Sequence, residues 1–487
     1  MRKIILTLTL ICALAILSPT HSVHASRNIS ALREQAATTN ARTEELSKGQ
    51  VIERVVCRAD AAQSYALYLP SNYTPARKWP MLYAFDPLAR GRIPVELFRE
   101  AAEKYGWIIV GSNNSRNGPM TIAVEAIKAV WADTHARFSV DDRRIYATGF
   151  SGGARVASIF GGICGDCVAG VIGCGAGLHP QLPLAPNIPF NFFGTIGTND
   201  FNFPELKALD EALTKFRIPH RVALFDGTHE WAPQPLATEA IEWMEIQAIK
   251  SGRRTRDEAL VNALWRKGLE LAHGLETSGK IYEAYQRYDA LYQSFDGLLD
   301  ASDAGRKIAQ LRETDEVKKA LREENEQVRR QQLLMNQLGA ALAGRNDPDS
   351  RFQTSGQFKQ MLAELKKNAR ENEDTGQRRV ARRVLNALFA RFYETGTVLL
   401  QRQRSYDEAV YNLEIAAEIA PKSPQVFFDL ARAYALNGDK KKAIQALRTA
   451  VGLGFTELNA ITSDAALDSL RGEASYREIV EGLKNRH

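Results

Sequence analysis

The sequence predicts a mainly parallel β-sheet covered by helices on both faces, followed by an all-helical domain. Short apolar runs alternate with segments of helical spacing from residue 51 to about residue 250, which is typical of a parallel sheet with crossover helices. Beyond residue 251 only helical spacing continues. The chain has 487 residues, more than one hydrophobic core usually serves, so two or more domains are expected.

Eight apolar runs are predicted to be strands, and five longer segments between or after them are predicted to be helices. The predicted strands are residues 55–57, 65–69, 81–85, 107–110, 145–148, 168–172, 190–196 and 222–225. The predicted helices are residues 95–105, 121–138, 154–163, 204–216 and 237–249. An antiparallel pair is expected at the start of the sheet.

The helical domain, predicted over residues 251–487, contains a repeat that is clearest over residues 390–457. Three positions recur 34 residues later: Ala409, Leu413 and Ala416 return as Ala443, Leu447 and Ala450. This period, with small residues where paired helices pack, resembles the tetratricopeptide repeat. The resemblance implies a protein or peptide partner, or shading of a neighbouring active site. The mixed-charge run 316–332 predicts a solvated helix face.

The N-terminal residues have the pattern of a targeting segment. A positively charged start, an uncharged apolar run and a small-residue cleavage pattern predict a secretory signal peptide over residues 1–25, with an uncleaved membrane anchor as the alternative. Residues 26–50 are predicted to be a flexible leader. We therefore expect a secreted or periplasmic protein with no membrane span after cleavage. Cleavage removes Arg2 and Lys3 and lowers the formal charge from +6 to +4, too little to suggest nucleic acid.

Four cysteines follow the predicted cleavage site: Cys57, Cys164, Cys167 and Cys174. In an oxidising compartment they predict one or two disulfides, and the sequence leaves their pairing open. The C-x-x-C pair is alternatively read as a zinc or redox site, but a second such pair is missing.

The segment Gly149-Phe150-Ser151-Gly152-Gly153 joins a predicted strand to a predicted helix. A sharp turn of this kind exposes a serine hydroxyl at the carboxyl edge of the sheet, and it requires flanking glycines because side chains there would collide with neighbouring backbone. The pattern predicts that Ser151 is a catalytic nucleophile. A plain glycine-rich loop is the alternative.

A serine nucleophile needs a base and an orienting carboxylate at the same sheet edge as itself. His229 follows the last predicted strand, whereas His220 precedes it and lies at the wrong edge. Asp200 follows the preceding strand and is the predicted acid, with Asp226 as second choice. The sequence therefore predicts a catalytic triad of Ser151, Asp200 and His229.

Three segments together resemble the active-site motifs of the α/β-hydrolase superfamily. They are Gly149-Phe150-Ser151-Gly152-Gly153, Gly197-Thr198-Asn199-Asp200 and Gly227-Thr228-His229-Glu230-Trp231. The Trp after the His looks most like secreted esterases related to polyhydroxybutyrate depolymerases and feruloyl esterases, over residues 51–250. The resemblance implies hydrolysis of a small-molecule or polymeric ester through an acyl-enzyme, with no metal and no organic cofactor.

An oxyanion hole requires two N–H donors. Gly152, directly after the nucleophile, matches the first donor of the family. The second is expected in the loop after strand 81–85, where many relatives have His-Gly and this chain has Phe85-Asp86-Pro87-Leu88. Because Pro87 has no N–H, Leu88 is the predicted donor and Asp86 the alternative.

Two other functions stay open at this point. The hydrolase fold is alternatively a non-catalytic scaffold whose repeats bind a protein partner, and a serine peptidase uses the same triad. The polar loop 112–118 lies at the active edge and is read as turn chemistry, with substrate contact as the alternative.

Overall fold

A computed structural model describes residues 46–343 and 356–485. They form two compact units. The first comprises the described residues up to Ile172 together with Leu178–Asn191, and the second comprises Gly173–Gly177 and the described residues from Phe192 onward. The predicted signal peptide and residues 26–45 of the predicted leader lie outside the described residues.

The first unit contains most of the sheet and three helices. Its strands are β1 (Val51–Val56), β2 (Ser64–Tyr68), β3 (Trp79–Phe85), β4 (Ile108–Ser112), β5 (Val140–Phe150) and β6 (Val168–Cys174), whose last two residues belong to the second unit. Its helices are α1 (Arg92–Tyr105), α2 (Met120–Arg137) and α3 (Gly152–Cys164). The strand order is β1-β2-β4-β3-β5-β6. As predicted, β1 and β2 are antiparallel, and β3 is parallel to β4 and β5.

The pairing of β3 with β5 positions the nucleophile segment. Phe85, the last residue of β3, is in register with Gly149 near the end of β5. All seven side chains of β3 are buried, as expected for a strand covered on both faces. The loops that follow these two strands therefore leave the same edge of the sheet.

One of the possible cysteine pairings is formed in the structure. Cys164 and Cys167 form a disulfide at the end of α3. Cys57 and Cys174 are both buried and lie outside this disulfide.

The second unit contains the last strands of the sheet. Strand β7 (Asn191–Gly197) is parallel to β8 (His220–Phe225), with Gly197 in register with Phe225. Helix α4 (Phe203–Phe216) connects them, and α5 (Gln234–Lys250) follows β8. The eight strands and five helices occur where the apolar runs predict them.

The other described residues of the second unit are mainly helical. Its helices are α6 (Glu258–Thr277), α7 (Ile281–Phe295), α8 (Ser302–Arg312), α9 (Asp315–Ala343), α10 (Gly356–Asn368), α11 (Gly376–Val398), α12 (Tyr406–Ile419), α13 (Pro424–Leu436), α14 (Lys440–Gly452), α15 (Leu458–Ser463) and α16 (Ala474–Lys484). The six repeat residues at 34-residue spacing are all buried within one apolar core. This confirms a packed helical region, while its assignment to tetratricopeptide repeats stays a prediction. No helix in the described ranges is both long and apolar enough to cross a membrane.

Candidate active site

Ser151 occupies a strained turn between β5 and α3. Its backbone has φ 53° and ψ −118°, a conformation that residues with a side chain rarely adopt. A Cβ atom on Gly149 would overlap the carbonyl oxygen of Gly153, and one on Gly153 would overlap the carbonyl oxygen of Phe85. Backbone contact on both sides explains why glycine flanks the turn, and the geometry is that of a nucleophile elbow.

The loop after β3 is organised by Asp86. The side chain of Asp86 is fully buried and accepts hydrogen bonds from Arg90 Nε at 2.8 Å and Arg90 Nη2 at 3.0 Å. It also accepts a hydrogen bond from the Leu88 N–H at 2.9 Å. The Leu88 N–H, our predicted second oxyanion donor, is therefore bonded within its own loop. Its role as an oxyanion donor stays a prediction.

Most of the polar loop 112–118 performs turn chemistry, as predicted. Ser112 Oγ accepts hydrogen bonds from the N–H groups of Asn114, at 3.3 Å, and Ser115, at 3.0 Å. Asn117 differs from these residues. Its N–H donates to Pro87 O at 2.8 Å, and its exposed side-chain amide fills the space that a Cβ on Gly152 would occupy. Sequence reasoning noted this loop but did not single out Asn117.

In the second unit, Asp200 and His229 are brought together by the ends of two parallel strands. The pairing of β7 with β8 continues beyond the strands, because Thr198 N donates to Phe225 O and Asn199 N donates to Gly227 O, each at 2.9 Å. The next residue, Asp200, then meets His229, with 2.9 Å between Asp200 Oδ2 and His229 Nδ1. Two residues that are 29 positions apart in sequence are thus paired by strand register.

The Asp200 carboxylate is fully buried. Its Oδ1 accepts the Asn202 N–H at 2.8 Å, and its Oδ2 faces His229. Burial raises the pKa of Asp200 above its ordinary value, and the hydrogen bond and charge of His229 oppose that rise. Since an ionised carboxylate only accepts hydrogen bonds, Nδ1 of the neutral imidazole carries the proton, and Nε2 is then the atom that can accept one.

His220 and Asp226, the residues considered as alternatives, have other contacts. His220 begins β8 and lies 3.3 Å from Asp210 Oδ1, at the opposite strand end from His229. Asp226 is exposed and accepts a hydrogen bond of 3.4 Å from Thr198 Oγ1. Ser151 belongs to the first compact unit, and Asp200 and His229 belong to the second. The Asp200–His229 contact therefore lies within one unit, and the membership of Ser151 in the triad stays a prediction.

Two residues of the helical region donate hydrogen bonds to this part of the second unit, and sequence reasoning missed both of them. Arg383 donates to Thr198 O, and Gln331 donates to Phe201 O. Desolvation raises the pKa of Glu394, and the charge of His229 opposes that rise. The mixed-charge run 316–332 was expected to be a solvated face. That expectation is wrong at Gln331, which is 4% exposed. A charge pattern does not reveal which turn of a helix meets another part of the fold.

We find no group of three or more His, Cys, Asp or Glu side chains that could hold a metal ion within residues 46–343 and 356–485. The two sulfur atoms of the C-x-x-C segment are joined to each other in the disulfide.

The sequence matches no protein-family model and no curated protein. Among solved structures, the chain is similar to the S-formylglutathione hydrolase FrmB of Staphylococcus aureus, with 16% identity, 37% of this chain and 90% of that chain covered, and a TM-score of 0.31. A ferulic acid esterase is similar at 16% identity, covering 40% of this chain and 96% of that chain, with a TM-score of 0.32.

A butyrate-bound esterase, Est2 of Thermogutta terrifontis, is similar at 16% identity, covering 42% of this chain and 96% of that chain, with a TM-score of 0.31. TM-scores this low carry no functional weight. The description of an α/β-hydrolase-like sheet followed by a helical region depends on the strand order and on the turn at Ser151.

Proposed function

We propose that this protein is a serine hydrolase that cleaves carboxylic esters through an acyl-enzyme. The observation that carries the proposal is the 2.9 Å contact between the buried Asp200 carboxylate and His229 Nδ1 at the ends of β7 and β8. The strained turn at Ser151, at the end of β5, supports it independently. Nucleophile, acid and base follow β5, β7 and β8 in the chain order that the motif predicts.

In the proposed reaction, Ser151 Oγ attacks the ester carbonyl carbon while His229 Nε2 takes its proton. The tetrahedral intermediate collapses, and the protonated His229 gives that proton to the departing alcohol. Water then attacks the acyl-enzyme with His229 again as base, which releases the acid and restores the serine. Asp200 holds the imidazole in the required tautomer and stabilises its positive charge throughout.

The N–H of Gly152, the first residue of α3, is the proposed first oxyanion donor. Removing one donor from such a site typically costs about 3 to 4 kcal/mol of transition-state stabilisation, so a second donor matters. Because the Leu88 N–H donates to Asp86, this hydrogen bond must break before Leu88 can act as an oxyanion donor. The side-chain amide of Asn117, which lies against Gly152, is a second candidate.

We also propose that the mature protein is secreted or periplasmic. The signal-like residues 1–25 motivate this, and a disulfide between Cys164 and Cys167 suits an oxidising compartment. Intact mass of the exported protein tests it, since cleavage should leave a chain that begins near Ser26. A protein or peptide partner for the repeats is a further prediction, tested by cross-linking in the same compartment.

Labelling with a fluorophosphonate probe tests the proposed function. Wild type should gain one probe by intact mass, and Ser151→Ala and His229→Ala should gain none. His220→Ala is the matched control, because His220 also lies beside an aspartate yet sits at the other end of β8. Turnover of short-chain aryl esters, compared with peptide anilides, then separates an esterase from a peptidase. Wild-type labelling of Ser151→Ala would overturn the triad, and a folded wild type that stays unlabelled would favour a scaffold.

A further inference from the structure

The loop that carries Asp200 is held at two points by side chains of the helical region. Arg383, on α11, donates from Nε to Thr198 O at 2.7 Å. Gln331, on α9, donates from Nε2 to Phe201 O at 2.8 Å. Their acceptors lie two residues before and one residue after Asp200. The backbone on both sides of the predicted triad acid is therefore bonded to helices far along the chain.

Both donors are buried, Arg383 at 1% and Gln331 at 4% exposure. The guanidinium of Arg383 lies over the Phe203 ring, with 3.6 Å between Cζ and the ring centroid. A planar guanidinium can stack on an aromatic ring and donate to a carbonyl at the same time, which an ammonium group cannot do equally well. Arg383 therefore fixes the loop through its shape as well as through its charge.

Burying the Arg383 guanidinium at this position is energetically unfavourable. Burial lowers the pKa of Arg383 to about 9, and the nearby charge of Arg379 adds to the effect. Three carboxylates oppose that lowering: Glu324, Asp200 and Asp374. Arg383 Nη1 has no hydrogen-bond partner among the described residues. Because a buried charge with incomplete bonding destabilises a fold relative to an apolar side chain, a role beyond packing is the better explanation.

The second contact reaches the base as well as the acid. The Phe201 ring packs on the His229 imidazole, with 4.2 Å between ring centroids. The carbonyl of the same residue accepts the Gln331 hydrogen bond. A shift of the Phe201 backbone would therefore move both the Asp200 carboxylate and the surface that the imidazole rests on.

We propose that Arg383 and Gln331 are positioning residues for the Asp200–His229 pair, so that the helical region is part of the catalytic apparatus. The inference depends on the proposed role of Asp200 as triad acid. It gives the helical region a function that needs no partner. A displacement of about 1 Å in a catalytic group can lower a rate by about 100-fold, and two side-chain hydrogen bonds prevent that displacement here.

The test compares Arg383→Met, Arg383→Lys and Gln331→Leu in the full-length protein. Arg382→Met is the matched control, because Arg382 is the next residue of α11 and also donates to a carbonyl, that of Ala369 at 3.1 Å. For an aryl ester we expect Arg383→Met to lower kcat by about 10-fold to 100-fold with KM within about twofold. Arg383→Lys should lower kcat less than Arg383→Met does, and Arg382→Met should have the kcat of wild type.

A second readout separates positioning from general structural damage. The proton shared by Asp200 and His229 is followed by low-field proton NMR, and its resonance should shift or broaden in Arg383→Met and Gln331→Leu but not in Arg382→Met. The double variant should lose less than the product of the two single losses, because both bonds hold one loop. If Arg383→Met does not fold, Arg383→Lys and Gln331→Leu still provide both readouts.

Wild-type kcat and an unchanged resonance in folded Arg383→Met would overturn the inference, and so would an equal loss in Arg382→Met. Ser151→Ala is measured beside these variants. If Ser151→Ala is inactive while Arg383→Met is fully active, positioning fails and the proposed function stands. If Ser151→Ala retains turnover, the proposed function itself fails.

Discussion

Replacing Asp200 by asparagine should separate the catalytic value of its charge from the cost of burying it. Asparagine preserves the shape of the side chain and can still accept the Asn202 N–H through its oxygen. Its NH2 group would then face His229 Nδ1 across the 2.9 Å contact. Because NH2 is a donor, Nδ1 must become the acceptor, and the imidazole proton moves to Nε2. That nitrogen can then no longer take the proton of Ser151.

The expected loss in kcat is about 10⁴-fold, the size found where a triad carboxylate becomes an amide and the base adopts the wrong tautomer. At about 1.36 kcal/mol per tenfold change, this corresponds to roughly 5.5 kcal/mol of transition-state stabilisation. The hydrogen bond alone would contribute about 1.5 to 3 kcal/mol as a bond to a charged group, so the tautomer must account for the rest.

The same substitution should stabilise the folded protein, relative to wild type, as the pH rises. Burial raises the pKa of Asp200, so the folded state binds this proton more tightly than the unfolded state does. The stability linked to that proton is fully present below the ordinary aspartate pKa and is lost as pH rises through the raised value. The amide side chain of the variant would not titrate. The free energy of unfolding of D200N, relative to wild type, should therefore increase from acidic to neutral pH.

Urea denaturation at several pH values between about 3 and 8, with kcat measured at neutral pH, checks both halves. Asp226→Asn is the control, because Asp226 is exposed at the same sheet edge. It should change neither kcat by more than about twofold nor the pH slope of stability. Turnover near wild type in D200N would refute the triad acid. A relative stability that falls with rising pH would refute the reasoning about burial.

Two further predictions concern Gly149 and Cys57. Gly149→Ala places a methyl group on the Gly153 carbonyl, so we expect at least about 1 to 3 kcal/mol of destabilisation by urea denaturation and loss of probe labelling; a fully labelled, equally stable variant would contradict the tight turn. Burial, with a smaller contribution from a neighbouring carboxylate, raises the pKa of Cys57 to about 12, so iodoacetamide at pH 8 should spare it in the native protein and alkylate it in urea, as mass spectrometry would show.

Part of the candidate site could be predicted from local sequence. Gly149 and Gly153 were predicted to flank a turn too tight for a Cβ, and the overlaps with Gly153 O and Phe85 O confirm this. Strand ends were enough to prefer His229 to His220, because the carboxyl ends of parallel strands share one edge and sequence order limits which side chains can meet. Asp226 lies at that same edge, and Asp200 was preferred to it because Asp226 is only three residues before His229.

The loop after β3 shows where local sequence stops. The missing N–H of Pro87 is visible in the sequence, but the bond from Leu88 to Asp86 and the position of Asn117 against Gly152 are not. Each depends on side-chain geometry between loops that are adjacent only after folding. The disulfide partner of Cys164 was open for a different reason, since three pairings of the four cysteines satisfied the count.

The sequence by itself predicted the sheet and the helical region from short-range periodicity. It predicted the candidate triad from the residues that follow strand ends. Only the tertiary structure showed that Gln331 and Arg383 contact the loop that carries Asp200, across 130 and 185 residues of sequence. Gln331 lies in the mixed-charge run 316–332, whose pattern predicts solvent exposure, and Arg383 lies in an arginine-rich stretch of α11. Burial of such a group depends on which helix face meets which loop, and that is fixed by the packing of the whole unit rather than by neighbours in sequence.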